Sequence, residues 1–133
     1  MKAFTHSLLT FLIVTIAFSA SYGADDFVVH GRVSFDTGGS MVKNASETDW
    51  ALAAVNTMVL PGDTVWVDEE GTAEIELPNS SFLRLSDGSK AEITALPPNA
   101  LLRGWVGSFY VHRLSRSAGA FTLITPSATT TIA

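Results

Sequence analysis

The chain has 133 residues, of which 47% are hydrophobic, and its formal charge at pH 7 is −5. This length suits one domain with a hydrophobic core and excludes two. There is no cysteine, which excludes disulfides and thiolate metal sites. The acidic charge argues against a nucleic-acid partner, because binding to phosphates requires a basic patch.

The first 23 residues have the layout of a secretory signal peptide. Lys2 precedes an apolar run over residues 8–18, and small residues up to Gly23 precede Asp25-Asp26. The run is shorter than the ~20 residues needed to cross a bilayer, so we predict cleavage after Gly23. Residues 24–133 are then expected to be exported from the cytoplasm. The alternative is an uncleaved segment that anchors the chain, which is the only membrane contact that we expect.

The first half of the remaining chain contains one clear strand and one ambiguous stretch. Residues 27–35 predict a strand in which Gly31 permits a bulge. Residues 41–56 predict either one helical turn or a loop. We expect Trp50 in this stretch to be buried, because an indole carries a large apolar surface that stabilises a core.

Residues 61–95 have the most regular pattern. Residues 72–77 alternate polar and apolar side chains at a period of two, which only a strand explains. Ala73, Ile75 and Leu77 should therefore face the core. Predicted strands at residues 64–67, 82–85 and 90–95 complete an antiparallel meander with one wet face, and Asp87-Gly88 is predicted to be its last turn.

The C-terminal third adds further strands after a stiff Pro97-Pro98-Asn99 turn. Two are predicted on either side of Gly107-Ser108, and residues 129–133 also have strand propensity. The two strands beside Gly107-Ser108 are residues 101–106 and 109–114, and another strand is predicted at residues 121–124. Eight or nine short, mostly antiparallel strands predict an all-β sandwich, roll or solenoid.

Few residues offer catalytic or metal chemistry. His30 and His112 fall on separate predicted strands without an acid at metal-ligand spacing, and no nucleophile, phosphate-loop or zinc-protease motif occurs. We therefore predict no enzyme activity, no cofactor and no metal. Asp68-Glu69-Glu70, with Asp63 nearby, could gather oxygen ligands for Ca²⁺. The spacing of a calcium loop is missing, so a solvated connector is the favoured interpretation.

Aromatic side chains are one set of candidates for binding a partner. Four of them could form a platform for a sugar or a peptide: Trp66, Trp105, Phe109 and Tyr110. Core packing is the favoured interpretation, because aromatic residues supply much of a small β core. Arg103, Arg113 and Arg116 could similarly meet an anionic partner or simply remain exposed.

A series of short motifs extends from Gly31 to the end of the chain. It comprises Gly31-Arg32-Val33-Ser34-Phe35, Trp50, Asn56, Pro61-Gly62-Asp63-Thr64-Val65-Trp66, Ala73-Glu74-Ile75, Phe82-Leu83-Arg84-Leu85 and Phe121-Thr122-Leu123-Ile124-Thr125-Pro126-Ser127-Ala128. Together these motifs resemble the FecR-type domain of bacterial extracytoplasmic proteins. The resemblance implies an all-β, non-catalytic domain. In its best-known members, this domain passes a signal from an outer-membrane receptor to a cytoplasmic sigma factor.

Two features differ from those signalling members. No helical segment precedes the apolar run, so the transmembrane relay is not expected here. The chain stops just after Thr125-Pro126, where family members usually continue, so we expect residues 24–133 to be a FecR-like domain truncated at its C-terminal end. Within the motifs, we predict structural roles for Trp50, Gly62, Asp63 and Pro126.

The sequence thus predicts an exported, non-catalytic module that binds or senses a partner, or relays a signal, in the bacterial envelope. It would engage another envelope protein through a sheet edge or through a face that carries Arg84 and Arg103. The alternative is a carbohydrate- or surface-polymer-binding module that rests on Trp66 and Trp105. No pattern indicates an oligomeric state.

Overall fold

The structure, a computed structural model, describes residues 29–114 and 119–133. The predicted signal peptide, the first two residues of the first predicted strand, and Arg116 lie outside these ranges. The described residues contain no helix, and hence none long and apolar enough to cross a membrane. They form ten strands, which confirms the all-β prediction.

The strands are numbered in chain order. Their bounds are β1 Gly31–Asp36, β2 Met41–Lys43, β3 Ala51–Leu52, β4 Met58–Val59, β5 Thr64–Trp66, β6 Thr72–Glu76, β7 Ser81–Ala95, β8 Asn99–Arg113, β9 Ala120–Ile124 and β10 Thr129–Ile132.

The strands form one curled sheet, a half-barrel with two wings that share the long pair β7 and β8. In the first wing, the first half of β7 pairs with β6, which continues to β1 and β4. In the second wing, the second half of β7 pairs with β5, which continues to β2 and β3. β9 and β10 extend the second wing beyond β8. All pairings are antiparallel except that of β8 with β9.

The two wings meet where β7 and β8 bend together. Asp87 and Gly88 adopt positive φ angles of 56° and 72°, and the β7–β8 register shifts between Ser86 and Lys90. Gly107 in β8 has a φ of 106° at the same level. The prediction of a turn and two short strands at each of these places is therefore wrong. Asp87 and Gly88 lie in a bulge of β7, where residues 87–89 face Gly107 of β8, and a bulge bends a strand without ending it.

The core lies on the concave side of the sheet, where apolar side chains alternate inward. Ala73 and Ile75 are fully buried and Leu77 nearly so, as their period-two pattern predicted. From β7, Leu83 and Leu85 are also fully buried. Truncation of such a leucine to alanine costs about 2–5 kcal/mol, so this face supplies much of the stability.

The ambiguous stretch at residues 41–56 forms neither a helical turn nor a simple loop. β2 and β3 form a short hairpin in which Met41 faces Leu52. β2 also pairs with β5, so that Met41 lies opposite Trp66. Trp50 is half-buried rather than buried. It packs edge-on against Trp66, and this contact places it beside an exposed indole and not in the core.

Candidate functional site

Asp63 is an internal anchor for the loops of the second wing. Its side chain is buried, and its two carboxylate oxygens accept hydrogen bonds from the backbone amides of Ala45 at 3.2 Å and Leu60 at 2.8 Å. Gly62, with a φ of 90°, donates its amide to the Ile93 carbonyl oxygen at 2.6 Å. Both residues therefore connect neighbouring backbone segments by hydrogen bonds.

The Asp63 carboxylate is therefore occupied by backbone donors. It does not join Asp68, whose side chain accepts a hydrogen bond from the Glu69 amide. In residues 29–114 and 119–133, no three His, Asp or Glu side chains form a group that could hold a metal ion. His30 precedes β1 and His112 lies on β8, with β6 and β7 between those strands.

The aromatic residues do not pack as expected. Trp66 and Trp105 are 46% and 42% exposed, and Tyr110 is also exposed. The predicted core packing is therefore wrong for these three residues. For Trp66 the reason is the alternation in β5, which turns Val65 inward and Trp66 outward. Phe109 alone of the four packs partly against the core.

The three tryptophans and two lysines form one surface, here called the tryptophan–lysine patch: Trp50, Trp66, Trp105, Lys43 and Lys90. The Trp50 and Trp66 ring centroids are 5.8 Å apart with an interplanar angle of 66°. Lys90 Nζ lies 5.6 Å from the Trp50 centroid and 5.5 Å from that of Trp105. Lys43 Nζ lies 5.3 Å from the Trp50 centroid. These distances suit cation–π attraction.

Strand register explains why these side chains meet. Lys90 in β7 lies directly opposite Trp66 in β5. On its other side, Lys90 pairs with Val106 and Ala91 pairs with Gly104, so Trp105 is the extra residue of a bulge in β8. β7 therefore places Lys90 between the two exposed indoles. The sequence pattern indicates Trp66 and Trp105 as candidates but not the lysines, because the place of the lysines in the patch depends on pairing across strands.

The patch carries positive charge without internal neutralisation. Across the described parts of the chain, the ion pairs are Arg32–Glu76 and Arg84–Glu74, both in the first wing. Lys43 and Lys90 therefore have no carboxylate at ion-pairing distance there. Arg103 adds a further cation beside Trp105, and it faces Glu92 across the β7–β8 ladder.

Arg84 belongs to a different surface from Arg103. Arg84 Nη2 donates to Glu74 Oε2 at 2.9 Å and lies opposite Tyr110. Together with Phe82, His112 and Leu114, these side chains line an open groove of about 570 Å³, here called the first-wing groove. Tyr110 and Arg103 are separated by a path of ~23 Å along β8 at the rise of an extended strand. Arg84 and Arg103 therefore do not form one compact site.

On the side of β8 away from β7, a partner strand covers only the first part of β8. β9 pairs with β8 only as far as Arg103. Over the described residues, no strand pairs with residues 104–113 on the side away from β7, and this stretch is here called the β8 edge. Its start and the β9–β10 turn together line a groove of about 340 Å³. Pro126 lies in that turn, where Thr125 and Ala128 are hydrogen-bonded to each other.

Arg113 has a structural role in the fold, whereas the sequence offered it as a candidate for binding an anionic partner. Its guanidinium donates to the carbonyl oxygens of Gly119 and Ala133, each at 2.8 Å. These bonds attach the beginning of β9 and the end of β10 to the last residue of β8. The positive charge of Arg113 is thus directed at backbone oxygens.

Comparison of the chain with family models, with curated proteins and with solved structures found no match.

Proposed function

We propose that the chain is an exported, non-catalytic binding module of the bacterial envelope, similar to the FecR-type domain. Its partner is an extended segment of another envelope protein, which adds to the sheet along the β8 edge. Exposed backbone amides and carbonyls supply affinity in such strand addition, and side-chain pockets supply specificity. The observation that carries the proposal is the long unpaired stretch at residues 104–113.

The composition of the β8 edge supports this function. Proteins usually protect a free strand with lysines, prolines, bulges or a covering element, and of these the β8 edge has the bulge at Trp105. Residues 104–113 contain no lysine and no proline, while Val106 and Tyr110 are 56% and 60% exposed. The neighbouring first-wing groove adds polar contacts through Arg84 and His112. An apolar edge beside a polar groove suits a partner strand whose side chains alternate between apolar and polar.

The export and family parts of the proposal rest on the sequence. The leader pattern of residues 1–23 supports export, and the distributed motifs support a FecR-like module that senses or relays. Gly62 and Asp63, which are central to one motif, connect three segments of the second wing by hydrogen bonds. The separation of His30 and His112 across the sheet supports a role without catalysis.

Site-specific photo-crosslinking in the native host tests this proposal on the full chain. A photoreactive residue replaces Val106 on the β8 edge or, as a control, Val55, which is similarly exposed in the β3–β4 loop. We expect one discrete adduct with an envelope protein from position 106 and none from position 55. The same adducts from both positions, or no adduct from position 106, would contradict the proposal.

A second candidate function is binding of a carbohydrate or a surface polymer. It is favoured by the exposed indoles of Trp66 and Trp105 on the two sides of Lys90. Titration of the intrinsic fluorescence of the full chain with a glycan panel tests this candidate. A spectrum that remains constant across the panel would remove it.

A further inference from the structure

We propose that the tryptophan–lysine patch binds an anionic polysaccharide, with sugar rings stacked on Trp66 and Trp105 and an acid group of the polymer held by Lys90. This inference rests on the second candidate function, and it specifies the class of polymer and the residues that recognise it. Trp105 belongs both to the patch and to the β8 edge, but the inference does not require strand addition at that edge.

The two exposed indoles are spaced for a chain of sugars. Trp66 lies on β5 and Trp105 on β8, with β7 between them. Two inter-strand spacings of ~4.8 Å separate these strands by roughly 10 Å. Consecutive rings of a polysaccharide can therefore contact both indoles, whose broad apolar faces bind the C–H faces of sugars. A single small sugar would contact only one.

The charge of the patch selects an acidic polymer. Lys90 lies between the two indoles, and Lys43 is held over Trp50. Neither ammonium group is paired with a carboxylate in the described residues, and Arg103 extends the positive surface. The chain as a whole is acidic, with a formal charge of −5. A local cationic surface on an acidic protein attracts anions while the rest of the molecule repels them.

The patch is also preorganised. Trp50 is half-buried and contacts Trp66 edge-on, while Lys43 and Lys90 both lie over its ring. Lys90 is itself only partly exposed. Side chains already ordered by such contacts lose less conformational entropy when a ligand binds.

A membrane surface fits the patch less well than a polysaccharide. Recognition of anionic lipids usually depends on clusters of 4–8 lysines and arginines. The patch and its flank supply Lys43, Lys90 and Arg103, and Glu92 lies opposite the last of these. Vesicles that contain phosphatidylglycerol therefore serve as a competing arm of the test.

Affinity electrophoresis of the full chain through gels that contain a polymer tests the inference. The main probe is polygalacturonate, and its fully methyl-esterified form provides the same backbone without charge. Dextran sulfate, compared with dextran, tests a sulfate in place of a carboxylate. We expect retardation by polygalacturonate, by dextran sulfate or by both, and not by the neutral counterparts. The pair that shows the difference identifies the acid group.

Two substitutions locate the binding to the patch. Lys90→Gln should weaken retardation by about tenfold or more, as expected for loss of a bond to a charged group. Trp66→Ala should weaken it similarly by removing one stacking surface. Arg32→Gln removes the same charge from the first wing, at a residue that lies in neither binding surface, and should change the affinity by less than about twofold. Far-UV circular dichroism of each variant verifies that the sheet is intact.

The possible contrary outcomes are distinct. Equal retardation by charged and esterified polymers would overturn the selection for acid groups and would leave the second candidate function standing. Equal retardation by polyglutamate, which has charge but no sugar rings, would overturn the stacking on the indoles. An equal effect of Arg32→Gln and Lys90→Gln would overturn the assignment to the patch. Binding to the vesicles alone, or no binding to any polymer, would overturn the inference as a whole.

Discussion

The Ser89 hydroxyl accepts a hydrogen bond of 2.8 Å from the backbone amide of Ser108, and this bond joins the bend of β7 to the bend of β8. The same hydroxyl contacts the carbonyl oxygens of Ser108 and Ser86. Ser89 is fully buried. Its hydroxyl supplies hydrogen bonds in place of the ladder bonds that the bulge in β7 removes. Ser89 therefore links the two strands by hydrogen bonds at the point where the wings meet.

Gly107→Ala should destabilise the protein strongly, because a Cβ at this position would collide with the Oγ and Cα of Ser89. Gly38→Ala is a matched control. Gly38 has nearly the same φ, 105° against 106°, and open space around it. The control should lose about 1–2 kcal/mol from left-handed strain alone, and Gly107→Ala should lose a further ~1–3 kcal/mol from the collision. Urea unfolding followed by tryptophan fluorescence measures both, and equal losses would contradict the steric explanation.

Asp63→Ala should also destabilise the protein, because it leaves the amides of Ala45 and Leu60 without their acceptor. Loss of hydrogen bonds to a charged group costs about 1.5–3 kcal/mol each in typical cases. Asp63→Asn keeps one acceptor oxygen and should lose less. Asp49→Ala, in an exposed position, should stay within about 0.5 kcal/mol. Thermal or urea unfolding provides the comparison, and an Asp63→Ala variant as stable as Asp49→Ala would exclude the anchoring role.

Local patterning predicted part of the fold because alternation is a property of adjacent residues. The inward positions of Ala73, Ile75 and Leu77 required no knowledge of partner strands. The continuity of β7 and β8 did require knowledge of the partner strands, since Asp87-Gly88 forms a bulge only when the strand continues to pair on both sides of it. A bulge and a turn use the same residues. Contacts that are distant in sequence decide between them.

The candidate surfaces also combine features that local patterning predicts with features that depend on contacts distant in sequence. The outward direction of Trp66 followed from its valine neighbours, but a preference for core aromatics outweighed that local pattern. The position of Lys90 between Trp66 and Trp105 depends on the register of three strands and on a bulge in β8. Arg84 and Arg103 were grouped by residue type, and the bend of the sheet places them in separate wings.

Arg84→Glu should weaken binding of the partner captured at the β8 edge by about tenfold, if that partner contacts the first-wing groove through this charge. It should also destabilise the sheet by about 1 kcal/mol, because it places a second carboxylate directly opposite Glu74. The double variant Glu74→Arg/Arg84→Glu restores an ion pair with reversed polarity. Binding should remain weak in the double variant. Recovery of binding would indicate that the pair only supports the local structure.

Val106→Lys should reduce binding of an added strand by about tenfold or more, because a lysine on a free edge opposes pairing with another strand. Val55→Lys introduces the same change at a similarly exposed position, 52% against 56%, away from the edge. Both variants should retain their free energy of unfolding to within about 0.5 kcal/mol, since neither valine is in the core. Calorimetric titration of the crosslinked partner, once purified, against each full-length variant measures the effect. Charge and side-chain volume change equally in the two variants, and the two positions are similarly exposed. A difference in affinity between the variants therefore reports on the β8 edge itself. Equal affinities would exclude strand addition there.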